Sequence, residues 1–145
     1  MTDISRSAIV SYTASEMYAL VNAVELYPQF LPWCADSQVH SRDEDEVKAT
    51  LVLSWSGMQK SFTTHNRLQK DKMIEIRLIE GPFHHLEGFW RFEDLDEKVS
   101  KVSLDMEFEI AGKLLSMAIG PLFYQMVNKL VDAFSERAVQ LYGVR

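Results

Sequence analysis

The side chains that could do chemistry in this chain are few, and their spacing organises little. Cys34 is the single cysteine, and no base or third triad member stands near it in sequence. It reads as a small, half-buried apolar residue rather than a nucleophile. His84 and His85 form the one histidine pair, but adjacent strand residues point to opposite faces and do not readily chelate one ion. His40 and His65 sit in separate strands without ligand spacing. No metal site is expected. Asp105, Glu107 and Glu109 alternate with apolar residues and belong on a solvated face. Thr63, His65 and Arg67 share one face of their strand; Phe62, Thr64 and Leu68 share the other, and either face could be the inner one. A polar group turned inward there could bind a carbonyl, whereas an enzyme would need a positioned base. No residue is identified as that base, so no catalytic residue and no enzyme are expected.

What remains is apolar surface, and its pattern is strong. From Pro121 to Tyr142, Leu122, Phe123, Met126, Val127, Leu130, Val131, Phe134, Ala138 and Leu141 recur at intervals of one, three and four. They make one wide stripe on an α-helix. Twenty-two helical residues span about 33 Å, so the helix needs a long concave partner. Imperfect closure on that partner leaves an apolar cavity. Gly120-Pro121 predicts a kink or a fresh helix start, with residues 113–119 as an angled lead-in.

The partner is a sheet. Residues 4–12 alternate as a strand, and Thr13-Ala14-Ser15-Glu16 is a capping-box pattern opening a short helix through Val24. A further turn of helix is predicted around Tyr27-Pro28-Gln29-Phe30, ended by Pro32, which disfavours helical geometry at Leu31. Six further strands are legible over 34–43, 47–56, 59–70, 73–80, 85–93 and 99–110, separated by short polar turns. Such turns imply an antiparallel meander. The last strand is the cleanest, with Val102, Leu104, Met106, Phe108 and Ile110 on one face. The expectation is an α+β domain with two short helices after the first strand. In it a curved seven-stranded antiparallel sheet grips a long C-terminal helix.

At 145 residues the chain fits one domain, 1–145. Its net charge of −6 is uneven: residues 1–111 carry 11 Lys/Arg against 19 Asp/Glu, and residues 112–145 carry four against two. Phosphate-driven binding wants a basic face, so the β body argues against nucleic acid, no DNA partner is expected, and only the C-terminal segment permits RNA contact. No apolar run approaches the roughly 20 residues that span a bilayer. The N-terminus has no signal-peptide pattern, and one cysteine suits a reducing compartment. A soluble cytoplasmic protein is expected, at most transiently at a membrane surface.

The element order, the segment Tyr27-Pro28-Gln29-Phe30-Leu31-Pro32-Trp33-Cys34, and the ending Met126 to Tyr142 with Ala133-Phe134-Ser135-Glu136-Arg137 carry a resemblance. Over essentially the whole chain they resemble the coenzyme Q-binding START-like family, which includes the ribosome association toxins (RatA), within the polyketide cyclase/START-like superfamily. The resemblance implies a helix-grip fold with a lipid-sized cavity under the C-terminal helix. It also implies two roles. One is non-enzymatic binding of an isoprenoid quinone (ubiquinone) in support of respiration. The other is binding to the large ribosomal subunit, which blocks subunit association and translation initiation. A polyketide cyclase or aromatase activity follows only from the superfamily fold.

On that basis the expected cavity walls are Trp55, Leu78, Trp90, Met106, Ile119, Phe123 and Met126, with Phe30 and Trp33 near the mouth. The Tyr27–Cys34 segment is either a plug for one end of the sheet or a gate beside that mouth. Met106, Met117 and Met126 would supply adaptable lining for a prenyl tail. Ribosome contact would fall to Lys113, Lys129, Arg137 and Arg145, although some of these could simply snorkel over the helix stripe.

Overall fold

Chain order and hydrogen bonding fix the architecture of the computed structural model, which describes all 145 residues. Strand β1 (Thr2–Val10) is followed by helix α1 (Ala14–Asn22) and a 3₁₀ helix over Val24–Gln29. Then come β2 (Cys34–Arg42), β3 (Glu46–Trp55), β4 (Met58–Gln69), β5 (Met73–Glu80), β6 (Phe83–Asp96) and β7 (Val99–Ile110). Helices α2 (Lys113–Asn128) and α3 (Leu130–Tyr142) close the chain. The sheet order is β1-β7-β6-β5-β4-β3-β2, with every neighbouring pair antiparallel. The two early helices therefore carry the chain from one sheet edge to the other, and the meander returns to pair β7 with β1.

Local chemistry explains the first crossing. The Thr13 hydroxyl accepts from the Glu16 amide at 3.1 Å, and the Glu16 carboxylate accepts from the Thr13 amide at 3.0 Å, so the capping box is complete. The 3₁₀ helix is pinned to β2 by Arg42, which donates to the Asn22 carbonyl at 2.9 Å and to both oxygens of Glu25. Register shifts in the β2–β3, β4–β5 and β6–β7 ladders mark bulges, which bend strands and curl a sheet around its contents.

The inner faces are those the alternation indicates: Val102, Leu104, Met106, Phe108 and Ile110 are all buried, as are Leu86, Trp90 and Phe92. The C-terminal helix differs from expectation. It runs from Lys113 through Gly120-Pro121 without interruption, and the break falls at Lys129 (φ −102°, ψ 0°). Gly120 has no Cβ to collide with the Pro121 ring, which removes the usual steric objection to helical geometry before proline. The carbonyl that Pro121 cannot satisfy belongs to Met117, whose residue is 70% exposed, so water is at hand. Nothing in the residues around Lys129 explains the break there.

Two aromatic clusters lie under the helices, one per segment. Phe123 of α2 meets Phe62, Phe83 and Phe108 with centroids 6.5, 5.0 and 4.7 Å away. Phe134 of α3 meets Tyr27, Phe30 and Trp90 at 5.4, 5.3 and 5.3 Å.

Candidate functional site: an apolar cavity and its groove

Between the two aromatic clusters the core does not close. A cavity of about 80 Å³ is lined by 16 residues, 14 of them apolar. The sheet contributes Leu51, Phe62, Ile76, Leu86, Trp90 and Met106 to it. The helices contribute Phe123, Met126, Val127, Leu130 and Phe134, while Val24, Tyr27 and Trp33 close the remaining side. Trp33, Met126 and Leu130 also border an open groove of about 770 Å³. Its other walls include Phe30, Leu31, Trp55 and Lys129. Trp33, Met126 and Leu130 thus stand between groove and cavity. Pockets for small molecules hold about 300–1,000 Å³, so the groove is of ligand size and the cavity alone is not.

The mouth is braced. Arg137 donates to Gln29 Oε1 at 2.8 Å and lies 4.9 Å from the Phe30 ring centroid. The Ser54 amide donates to the Trp33 carbonyl at 2.8 Å, tying the Tyr27–Cys34 segment to β3. Leu31 and Cys34 are buried within that segment, while Phe30 and Trp33 are partly exposed. The segment thus plugs the sheet with one set of side chains and borders the groove with another.

Of the nine residues expected at the site, Trp33, Trp90, Met106, Phe123 and Met126 line the cavity, and Phe30 and Trp55 line the groove. Leu78 and Ile119 line neither. Ile119 is buried in the core at 2% exposure, and Leu78 of β5 is partly buried at the margin of that core. Met117 is not cavity lining but a surface residue. The polar members of the wall, Thr64 and Asn66, are both buried. The face of β4 left open by the sequence is thereby settled: Phe62, Thr64, Asn66 and Leu68 point inward. Asn66 was missed, although its even spacing from Phe62 and Leu68 was a usable signal.

No carboxylate, imidazole or amine is in the cavity wall. Its one titratable side chain is Tyr27, whose hydroxyl donates to the Val21 carbonyl and whose pKa burial pushes above the usual phenol range. Burial likewise pushes the Cys34 thiol up to about 11, which opposes thiolate formation. His85, Glu87 and Glu107 gather on the outer face, His85 Nε2 lying 3.2 Å from Glu107 and 3.9 Å from Glu87. The strand read from sequence began at His85; β6 begins at Phe83 and holds both histidines, with Glu87 two residues along the same strand and Glu107 brought in from β7.

The four cations of the C-terminal segment do not form one free face. Arg145 makes a two-pronged bond to Glu16 at 2.6 and 2.8 Å, and Arg137 is held at the mouth. Lys113 and Lys129 are exposed and unpaired.

A bent antiparallel sheet closed by C-terminal helices over an apolar cavity defines a START-like, helix-grip protein. The chain belongs to the polyketide cyclase/dehydrase and lipid transport family, whose model matches residues 10–135, and within it to the RatA-related proteins. The ribosome association toxin RatA of Pseudomonas aeruginosa is 46% identical, over 98% of this chain and 99% of that one. The mitochondrial coenzyme Q-binding protein COQ10 homolog B of Xenopus laevis is 27% identical, over 96% of this chain and 59% of that one. Among solved structures, the Zhui aromatase/cyclase from Streptomyces sp. R1128 aligns with TM-score 0.82 at 16% identity, covering 99% of each chain. A START superfamily protein from Mycobacterium smegmatis aligns with TM-score 0.76 at 18% identity, covering 96% of this chain and 98% of that one. Both share the fold. No helix is long and apolar enough to cross a membrane.

Proposed function

We propose that the chain binds an apolar ligand of the isoprenoid-quinone class without chemical turnover, its head toward the cavity and its tail along the groove. The observation that carries this reading is an almost wholly apolar cavity that shares Trp33, Met126 and Leu130 with an adjoining groove of ligand size. The inner cavity holds no carboxylate, imidazole or amine, and its one phenol, Tyr27, is engaged with the Val21 carbonyl; a relative is named for binding coenzyme Q. The cavity must widen to admit a ring, and the unbranched Met106 and Met126 side chains are suited to that adjustment.

Trp33 and Trp90 line the cavity, so titration with a short-chain ubiquinone analogue should quench their fluorescence saturably at one site. Met126→Lys puts an ammonium between groove and cavity, where unpaired charge is costly. Quenching should vanish in that variant while its circular dichroism is retained. Unchanged affinity in a folded Met126→Lys protein removes the site assignment.

A second reading, association with the ribosome, is favoured by one observation: 46% identity over nearly the full length of a protein named as a ribosome association toxin. On a chain of net charge −6 the contact must be local, and of the four C-terminal cations Lys113 and Lys129 are the ones free to make it. Reversing both should weaken sedimentation with large ribosomal subunits. It should also flatten the log–log salt slope by about 0.9 per lost phosphate contact, if the RNA behaves as duplex DNA does. Undiminished, salt-insensitive binding would place the contact elsewhere.

A further inference from the structure

The cavity wall contains two polar side chains, one of which keeps a free hydrogen-bond donor. Thr64 and Asn66 stand two residues apart on the inner face of β4, at 6% and 8% exposure. The Thr64 hydroxyl donates to Asn66 Oδ1 at 3.0 Å. That bond engages the amide oxygen and orients the amide; Asn66 Nδ2 donates to no group of the molecule and keeps a small accessible surface at the cavity wall. The residues paired with Asn66 on either side are Val47 of β3 and Ile76 of β5, which offer no side-chain acceptor. Across the cavity stand Met126, Leu130 and Phe134, which offer none either. A primary amide kept in an apolar wall with its N–H groups unpaired is unfavourable unless something brings an acceptor.

The surroundings narrow that acceptor. Trp90, Phe123 and Phe134 suit the faces and edges of a flat ring. No cation is in the wall to neutralise a carboxylate, so an anionic head would be buried without a counter-charge. We propose that Asn66, positioned by Thr64, donates a hydrogen bond to a neutral ring carbonyl of the bound ligand and selects a quinone-type head over a hydrocarbon or a fatty acid. This rests on the ligand-binding reading above and names the side chain that gives it specificity. A site built to hydrogen-bond a polar atom rejects analogues that lack it, because its own donor is then left unpaired.

The test uses the full chain with three probes: decylubiquinone, the carbonyl-free isoprenoid farnesene, and decanoate. The unmodified protein should bind decylubiquinone at least tenfold more tightly than either of the others. In Asn66→Leu, which matches the amide in size, decylubiquinone should bind about 10–100-fold more weakly while farnesene binds as well or better. Thr64→Val should cost less, since it frees the amide without removing it. Independently, the infrared band of a ¹³C-labelled carbonyl should shift to lower frequency on binding to the unmodified protein. An unshifted band overturns the proposal even if no variant folds, because the amide is then satisfied by water. Equal losses for decylubiquinone and farnesene in Asn66→Leu also overturn it, as does tighter binding of decanoate than of the quinone. Failure of the unmodified protein to bind any apolar probe would instead remove the ligand-binding reading itself, and this inference with it.

Discussion

Replacing Phe134 by alanine removes the ring on which Tyr27, Phe30 and Trp90 converge. Phe134 is 1% exposed, and a buried Phe→Ala change costs about 3–5 kcal/mol. Two features push the loss to the upper part of that range. Each of the three aromatic contacts contributes about 0.5–1.5 kcal/mol beyond area burial. The vacated space also merges with a cavity that already exists, and the destabilisation grows with the volume left unfilled. A loss of about 4–5 kcal/mol is expected. At about 3–4 °C per kcal/mol for a domain of this size, the melting temperature should fall by about 12–20 °C. Urea unfolding followed by tryptophan fluorescence and by circular dichroism measures the loss and checks that unfolding remains two-state. An apolar void of about 150 Å³ takes up benzene, so benzene should raise the melting temperature of Phe134→Ala more than that of the unmodified protein. A loss under about 1 kcal/mol would refute the gripping of the helix by the sheet.

Two further outcomes test other joints of the fold. Arg145 holds the Glu16 carboxyl down to about 2, chiefly through its two-pronged hydrogen bond. Because the folded value lies below the unfolded one, this stabilisation is full above about pH 4.5. It disappears as pH falls toward 2. Both side chains are partly exposed, so solvent screening keeps the contribution small. Urea midpoints should show Arg145→Ala less stable at pH 7, with the deficit shrinking by pH 2.5, and a pH-independent deficit would contradict the assignment. Gly81 has φ +151°, and a Cβ there would lie 2.6 Å from Phe62 Cβ. Gly81→Ala should therefore destabilise by roughly 1–3 kcal/mol through strain between β4 and the β5–β6 turn, and a neutral urea midpoint would show that the turn yields freely.

Much of the fold was legible because the sheet writes itself in strict alternation. The bounds of β5 and β7 coincide with the stretches read from sequence, 73–80 and 99–110, where apolar and polar residues mostly alternate. The Thr13–Glu16 capping box was equally plain, since both bonds lie within four residues. Strand β4 was harder. Its middle, Thr63-Thr64-His65-Asn66, has no apolar contrast, and the β4–β5 register shift beside Thr63 lets Thr63 and Thr64 both be buried. The inner face was therefore ambiguous, and Asn66 went unseen with it. The helix break was misplaced because Gly120-Pro121 is the stronger local signal, while the actual break at Lys129 has none. Cation availability was out of reach: Arg137 meets Gln29 across 108 positions and Arg145 meets Glu16 across 129. Cavity size, too, depends on how side chains from five strands, both C-terminal helices and the stretch 24–33 meet rather than on any one pattern.

The most direct measurement of the central claim uses methionine methyl groups as reporters. Met106 and Met126 line the cavity, whereas Met58 and Met117 are 54% and 70% exposed and lie outside it. In protein labelled at methionine ¹³C-methyl positions, addition of decylubiquinone should shift the Met106 and Met126 resonances saturably and together. Those of Met58 and Met117 should remain in place. Shifts confined to Met58 and Met117, or no shift at saturating quinone, would contradict ligand binding between sheet and helices.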